Sequence, residues 1–327
     1  MISRLGLFVL ALVGVSIGAE GIARVVEAST DTEVVIWYDE ATQLKVAQMA
    51  ERSGADVVVV GTSMAWQGLV PDALAGESRG STVIGGRGVY NAALAGGVPT
   101  VIEPWLTDEV VTSLKPSVVL WGLSSLDFSE VYGQAGLDAY SGAVATRGGA
   151  LAEADRGLRQ VSAVFRQRAL LRNPSLLFGS DRTVAAARFA EARQTLGPGG
   201  ERLDFTPAVT DDRALEVRTR ISPYQPDRED IAAVVRTVEN LRDRGIEVIF
   251  VELPVPPRFV DLYDRGPREH EQIAVLLQLM ADELEVTLLT AGDEYGDADF
   301  VDFTHLDEDA ARRFSVDIGT QLAALRR

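Results

Sequence analysis

The sequence predicts an α/β fold: a parallel sheet covered on both faces by helices, with a mainly helical insertion and an N-terminal transmembrane helix. Three observations predict it. Short β-branched runs alternate with helical patterns along most of the chain. The alternation fails over residues 129–226, where no convincing strand occurs. An apolar stretch opens the chain. Size and composition agree, since 327 residues allow one large domain or two small ones and 46% hydrophobic residues can fill a core.

The first element is the apolar stretch. Leu5 to Ala19 (LGLFVLALVGVSIGA) is apolar or small throughout. With Gly21 and Ile22 it approaches the ~20 residues that cross a bilayer as a helix. Glu20 interrupts its outer end, where a helix would place it to pair with Arg24 four residues on. Arg4 and the terminal amine precede the stretch, while Glu20, Glu27, Asp31 and Glu33 follow it. The positive-inside rule then puts the amino terminus in the cytoplasm and the rest outside. Residues 1–27 are expected to anchor an extracytoplasmic domain, 28–327, at the cell membrane by a single pass. The alternative is a cleaved signal peptide, which would leave the protein secreted. The apolar pattern resumes at Ile22, Val25 and Val26, which favours the anchor. Both readings export the folded part.

Asp56–Val60 (DVVVV) follows as a strand buried on both faces, ending at Gly61. Val83–Ile84 and Val89–Tyr90 give a weaker strand broken by glycines. Ser117–Trp121 (SVVLW) repeats the buried pattern and ends at Gly122. Ile246–Glu252 and Glu285–Leu289 supply two more strands. Helices are predicted over Asp227–Arg244, closed by Gly245, and over Pro267–Leu284 and Leu306–Leu325. The insertion carries an arginine-bearing helix at Leu151–Leu171 and another at Thr183–Leu196. The arginines read as a solvated face or as a grip on anionic lipid or an acidic polymer.

Composition removes whole classes of function. The chain has 48 acidic and 31 basic residues, a net charge of −17, two histidines and no cysteine. The acidic balance excludes nucleic acid as a partner, which needs a basic face. Disulfides, Fe–S clusters and thiolate zinc sites are excluded, and two histidines rule out a histidine-rich metal site. Any histidine chemistry must use His270 or His305. His270, among Arg268, Glu269 and Glu271, reads as solvated.

Four motifs lie at predicted strand ends, where parallel sheets bind ligands. Gly61-Thr62-Ser63 follows the DVVVV strand and presents a serine on a tight strand-to-helix turn. It is also a plain helix cap. Asn91-Ala92-Ala93-Leu94-Ala95-Gly96 pairs a loop-bracing asparagine with a glycine whose N–H can approach an oxyanion. Gly122-Leu123-Ser124-Ser125 brings a small hydroxyl to the same edge, as a donor or a cap. Asp302-Phe303-Thr304-His305 spaces a carboxylate to reach Nδ1–H of the histidine and leave Nε2 as base. A helix start with Thr304 capping and Asp307 completing the box explains part of the same stretch.

In this order the motifs resemble those of the SGNH (GDSL-like) hydrolase superfamily, from about residue 55 to 325 apart from the insertion. The resemblance implies a flavodoxin-like three-layer α/β/α sandwich. It makes Ser63 the nucleophile, His305 the base and Asp302 its orienting partner. The Ser63 amide, Gly96 and Ser124 would form the oxyanion hole, and no cofactor or metal is required. Thr62 replaces the aspartate of the family's first motif. Ser124 stands where its third motif, Gly-x-Asn, has asparagine, which puts the usual oxyanion hole in doubt. The anchor plus one hydrolase-like domain is similar to the membrane-anchored branch that includes polysaccharide O-acetyltransferases.

The expected function is an exported serine esterase or O-acyltransferase. Its substrate is an acyl ester, on a cell-envelope glycan or lipid, with Asn91 and Trp66 as candidate substrate-site residues; Trp66, one helical turn past Ser63, reads either as lining the entrance or as core packing. A catalytically weakened envelope-assembly or glycan-binding module is the alternative. A nucleotide-binding domain using Gly85-Gly86-Arg87-Gly88 is a third reading. It fails on position, because that stretch precedes a strand rather than joining a strand to a helix.

Overall fold

The structure is a computed structural model that describes residues 14–25, 40–78, 85–133, 158, 161–166, 180–291 and 295–325. These fall into two compact units, one drawn from 1–44 and 140–193, the other from 45–139 and 194–327.

In the first unit, residues 14–25 form a helix whose Val15, Ile17, Ile22 and Val25 side chains are exposed. Glu20 and Arg24 pair across one turn at 3.0 Å. Glu20 also accepts from the Ser162 hydroxyl at 2.7 Å and the Ala163 N–H at 2.9 Å. Among the described residues no helix is long and apolar enough to cross a membrane. Residues 1–13 of the expected anchor lie outside the described residues. So does most of the arginine-bearing stretch 151–171, of which the helix Ala163–Arg166 is described. The next helix, Ser180–Thr195, starts earlier than predicted and crosses into the second unit.

The second unit is built on five parallel strands in the order β2-β1-β3-β4-β5. They are β1 (Val57–Val60), β2 (Val89–Asn91), β3 (Val118–Leu123), β4 (Glu247–Glu252) and β5 (Thr287–Thr290). This is the flavodoxin-like order. All four valines of β1 are fully buried. A strand packed on both faces can use β-branched side chains at every position, which is why DVVVV reads as continuous rather than alternating. β3 runs two residues past its predicted end at Trp121, because Gly122 and Leu123 still pair with Val251 and Glu252. Of the predicted second strand, Val89–Asn91 forms, while Val83 and Ile84 lie outside the described residues.

Helix ends follow their capping chemistry. Asp227 caps the helix Arg228–Asp243 by accepting from the Glu229 N–H at 2.8 Å. Gly245 then turns the chain at φ +72°, a conformation that favours glycine. Asp307, and not Thr304, caps the last helix, Glu308–Ala324, accepting from the Ala310 N–H at 2.7 Å. The helices Pro71–Ser78 and Glu308–Ala324 pack together, and so do Pro99–Pro104 and Arg228–Asp243. Gly319 permits the first packing, since a Cβ there would lie 2.6 Å from the Leu74 carbonyl oxygen.

The chain leaves β1 toward β2 and afterwards returns past β1 to β3, so the direction of winding reverses at the β1/β3 boundary. Right-handed crossovers therefore send helices to opposite faces on the two sides of this boundary and open a crevice at its carboxyl end. Ser63 follows β1 at that boundary.

Candidate active site

Gly61 makes the turn after β1. Its φ is +139°, and a Cβ would lie 2.5 Å from the Gly122 carbonyl oxygen and 2.8 Å from Ala65 Cβ. No other residue fits. Thr62 then takes the N-cap position of the short helix Ser63–Gly68 in an extended conformation, without a side-chain cap, so Ser63 occupies the first helical position. Its backbone N–H has no carbonyl to bind within that helix. Ser63 is half-buried at the carboxyl edge of the sheet.

The carboxy-terminal loop meets it there. His305 Nε2 lies 2.9 Å from Ser63 Oγ. Asp302 Oδ2 lies 2.8 Å from His305 Nδ1. Asp302 Oδ1 accepts the backbone N–H groups of Thr304 at 2.7 Å and His305 at 2.8 Å. One carboxylate thus folds the loop and orients the ring. Burial opposes ionisation of Asp302, but its hydrogen bonds to His305 and to the two backbone amides outweigh burial. The carboxyl is held well below its ordinary range. Arg213 Nη2 adds positive charge 4.0 Å from Asp302 Oδ2. The Arg258 guanidinium donates to the Asp302 carbonyl at 3.1 Å and to the Phe300 carbonyl at 3.0 Å, fixing the loop from outside.

A second loop faces the same edge. Gly96 stands at φ +68° with open space where a side chain would project, and it is partly exposed. This loop is held from beneath. The buried Lys45 ammonium donates to the carbonyls of Asn91 at 2.8 Å and Ala93 at 2.6 Å. The Trp105 indole donates to the Ala92 carbonyl at 2.8 Å.

Three candidate site residues take the structural one of their two readings. Asn91 is fully buried, and its amide donates to the carbonyls of Ala65 at 2.9 Å, Trp66 at 3.2 Å and Leu69 at 2.8 Å. Its Oδ1 accepts the Ala93 N–H at 3.0 Å. It ties the Ser63–Gly68 helix to the segment that leads into the Gly96 loop. Trp66 points into the core, with Nε1 donating to the Gly200 carbonyl at 2.8 Å and Lys45 Nζ 4.8 Å from the ring centre. An indole N–H with a protein acceptor in the core is packing, not an entrance wall. Ser124 is buried, and its hydroxyl donates to Asp127 Oδ2 at 2.8 Å, beside its own N–H at 2.5 Å. That hydroxyl is already taken as the cap of the turn Ser125–Phe128. His270 is also half-buried rather than solvated, with its ring 6.2 Å from that of Tyr263.

Asp127 and Tyr132 belong to this region and were not singled out from the sequence. Burial pushes the Asp127 carboxyl up to about 7, against hydrogen bonds from the Ser124 hydroxyl and N–H that favour the charged form. The Ser-x-x-Asp capping pattern at 124–127 was its one visible signal. Tyr132 is buried. Burial pushes this phenol up to about 12, so it keeps its proton at neutral pH. The Arg220 guanidinium lies 5.5 Å over its ring. Arg213 and Arg220 come from the helix Asp211–Ile221, which the sequence pattern did not reveal because only Val217 and Ile221 are buried along it. Among the described residues no group of histidines and carboxylates has an arrangement that could hold a metal ion.

No family model matches the chain. No curated protein matches it either. Among solved structures, the chain is similar to a Bacteroides fragilis protein provisionally assigned as an acylhydrolase, with 12% identity over 87% of this chain and 97% of that one, at a TM-score of 0.43. It is also similar to Est24, a carbohydrate acetylesterase from Sinorhizobium meliloti, with 14% identity over 82% of this chain and 98% of that one, at a TM-score of 0.38. Identities and scores are both low, so the functional assignment rests on the geometry of the site.

Proposed function

We propose that the protein is an exported serine esterase or O-acyltransferase of the SGNH type, acting on an acyl ester of a cell-envelope glycan or lipid. The observation that carries the proposal is the continuous relay from Asp302 through His305 to Ser63, with contacts of 2.8 and 2.9 Å. As Ser63 Oγ bonds to the acyl carbon, its proton passes to His305 Nε2. The resulting imidazolium is stabilised by the Asp302 carboxylate. His305 then returns the proton to the leaving alkoxide, and the acyl group stays on Ser63. Water deprotonated by His305 releases the acid in an esterase; a sugar hydroxyl takes the acyl group in a transferase. The Ser63 and Gly96 amides are the backbone donors available to the oxyanion. The N-terminal segment would hold this chemistry outside the cytoplasmic membrane.

A fluorophosphonate probe tests the proposal. The folded full chain should be labelled, and Ser63→Ala should not. A folded wild type that stays unlabelled would favour the binding-module alternative.

A further inference from the structure

The loop over residues 296–307 carries two members of the relay, so its position decides whether they align with Ser63. Its carbonyl oxygens show what holds it. The Ala208 N–H donates to the Val301 carbonyl at 2.8 Å, and the Gln67 amide donates to the Leu306 carbonyl at 2.8 Å. Three more carbonyls go to one side chain. Arg258 Nη1 donates to Asp297 at 2.9 Å, Nη2 to Phe300 at 3.0 Å and Nε to Asp302 at 3.1 Å. Nη2 also donates to the Asp302 carbonyl at 2.5 Å. The docking is reciprocal, because Asp297 Oδ1 accepts the Arg258 N–H at 3.0 Å. The guanidinium carbon lies 5.7 Å from the centre of the Phe303 ring.

Arg258 reaches the loop from a stiff base. It sits in the short helix Pro257–Val260, past the end of β4. Pro254, Pro256 and Pro257 fix φ at three positions ahead of it. Phe259 beside it is fully buried. The Leu253 N–H donates to the Leu123 carbonyl at 2.9 Å, so the base continues the pairing of β3 with β4. The planar fork thus transmits the position of the sheet to the loop.

We propose that Arg258 is a positioning residue of the reaction, holding Asp302, and through it His305, in register with Ser63. This rests on the serine-ester reading of the site. Asp302 is held at both ends. Its carbonyl accepts from Arg258, and its carboxylate accepts from the Thr304 and His305 amides and from His305 Nδ1–H. A shift of the carbonyl carries the carboxylate and the imidazole with it, and moves Nε2 from its place 2.9 Å from Ser63 Oγ. Lysine cannot do the same work, because one ammonium is a point of charge and cannot span three carbonyls that a fork meets.

Two measurements on the full chain test this. Arg258→Lys keeps the charge and loses the fork. Its kcat for p-nitrophenyl acetate should fall by about 10- to 10²-fold with KM changed less than about threefold, because alignment is lost and binding is not. In the folded variant, isotope-labelled at histidine, the NMR signal of the His305 Nδ1–H proton should move upfield and exchange faster with water as its bond to Asp302 weakens. A merely structural role would lower the unfolding free energy and leave that proton where it is. A kcat within threefold of wild type, or a lowered kcat with an unmoved Nδ1–H signal, overturns the assignment. If Arg258→Lys does not fold, Arg258→Gln, which keeps one amide donor, is read by the same two measurements. Ser63→Ala run alongside separates the two levels. An active wild type silenced by Ser63→Ala but indifferent at position 258 refutes the role of Arg258 alone. A wild type no faster than Ser63→Ala refutes the serine-ester reading, and this assignment with it.

Discussion

Ser63 Oγ and His305 Nε2 lie 2.9 Å apart although 242 residues of chain separate them. The sheet brings them together. β1 delivers Ser63 to the crevice where the strand order reverses, and the loop before the last helix returns to the same edge. The two histidines of the chain therefore have different chemistry: one completes a relay, and the other packs beside Tyr263.

That difference is measurable. His305→Ala should lower kcat for p-nitrophenyl acetate by about 10⁴-fold or more, because Ser63 loses its base. His270→Ala should stay within about threefold of wild type. Steady-state kinetics on the two folded variants checks both. Equal losses would mean that His305 has no special role.

Asp302 should matter to rate and to acid stability. Asp302→Asn removes the acceptor that fixes the tautomer of His305, and should cost about 10⁴-fold in kcat. The linkage is also defined in sign. The folded-state carboxyl is depressed below its ordinary 3.8, so its stabilisation is present above that value. It is lost as pH falls through the lower folded-state value. The gap in unfolding free energy between wild type and Asp302→Asn should hold steady at neutral pH and narrow as pH drops below about 4. Urea unfolding at a series of pH values measures it.

Asn91 should act as a brace rather than a substrate ligand. Asn91→Ala leaves the carbonyls of Ala65, Trp66 and Leu69 without their buried donor. The expected destabilisation is roughly 2–4 kcal/mol. Thermal and urea unfolding should register it. Unchanged stability with a raised KM would return Asn91 to the substrate site.

The sheet was legible because valine-rich runs ending at Gly61 and Gly122 carry a strong local signal. The strands predicted at Asp56–Val60, Ser117–Trp121, Ile246–Glu252 and Glu285–Leu289 form, with ends shifted by one or two residues where ladder pairing continues or stops, and of the weaker second strand Val89–Asn91 forms. The relay was legible because scarcity did the sorting: with two histidines in the chain, Asp302-Phe303-Thr304-His305 had no competitor except His270. The surroundings of Ser63 were not legible. Asn91 and Trp66 sit near the nucleophile in sequence or motif order, yet the direction of each side chain is set by buried carbonyls of distant segments. Arg213 lies in the 129–226 span, where no strand-end motif marks position, and only tertiary packing brings it to the site.

Asp127 gives the remaining prediction, and its sign is opposite to that of Asp302. The carboxyl is buried beside Thr62 and Ser124, and burial raises it to about 7. Folding therefore favours its neutral form. The stabilisation this gives is complete below the ordinary value of 3.8 and is lost as pH rises through about 7. Wild type should lose stability, on the order of a few kcal/mol, as pH climbs from about 4.5 to about 7.5. Asp127→Asn keeps a carbonyl oxygen to accept from the Ser124 N–H and has no proton to lose, so its stability profile should be flatter over that window. Urea midpoints for both proteins at pH 5, 6, 7 and 8 make the comparison. Parallel profiles would show that the carboxyl is ionised throughout and that Ser124 satisfies it as a buried anion.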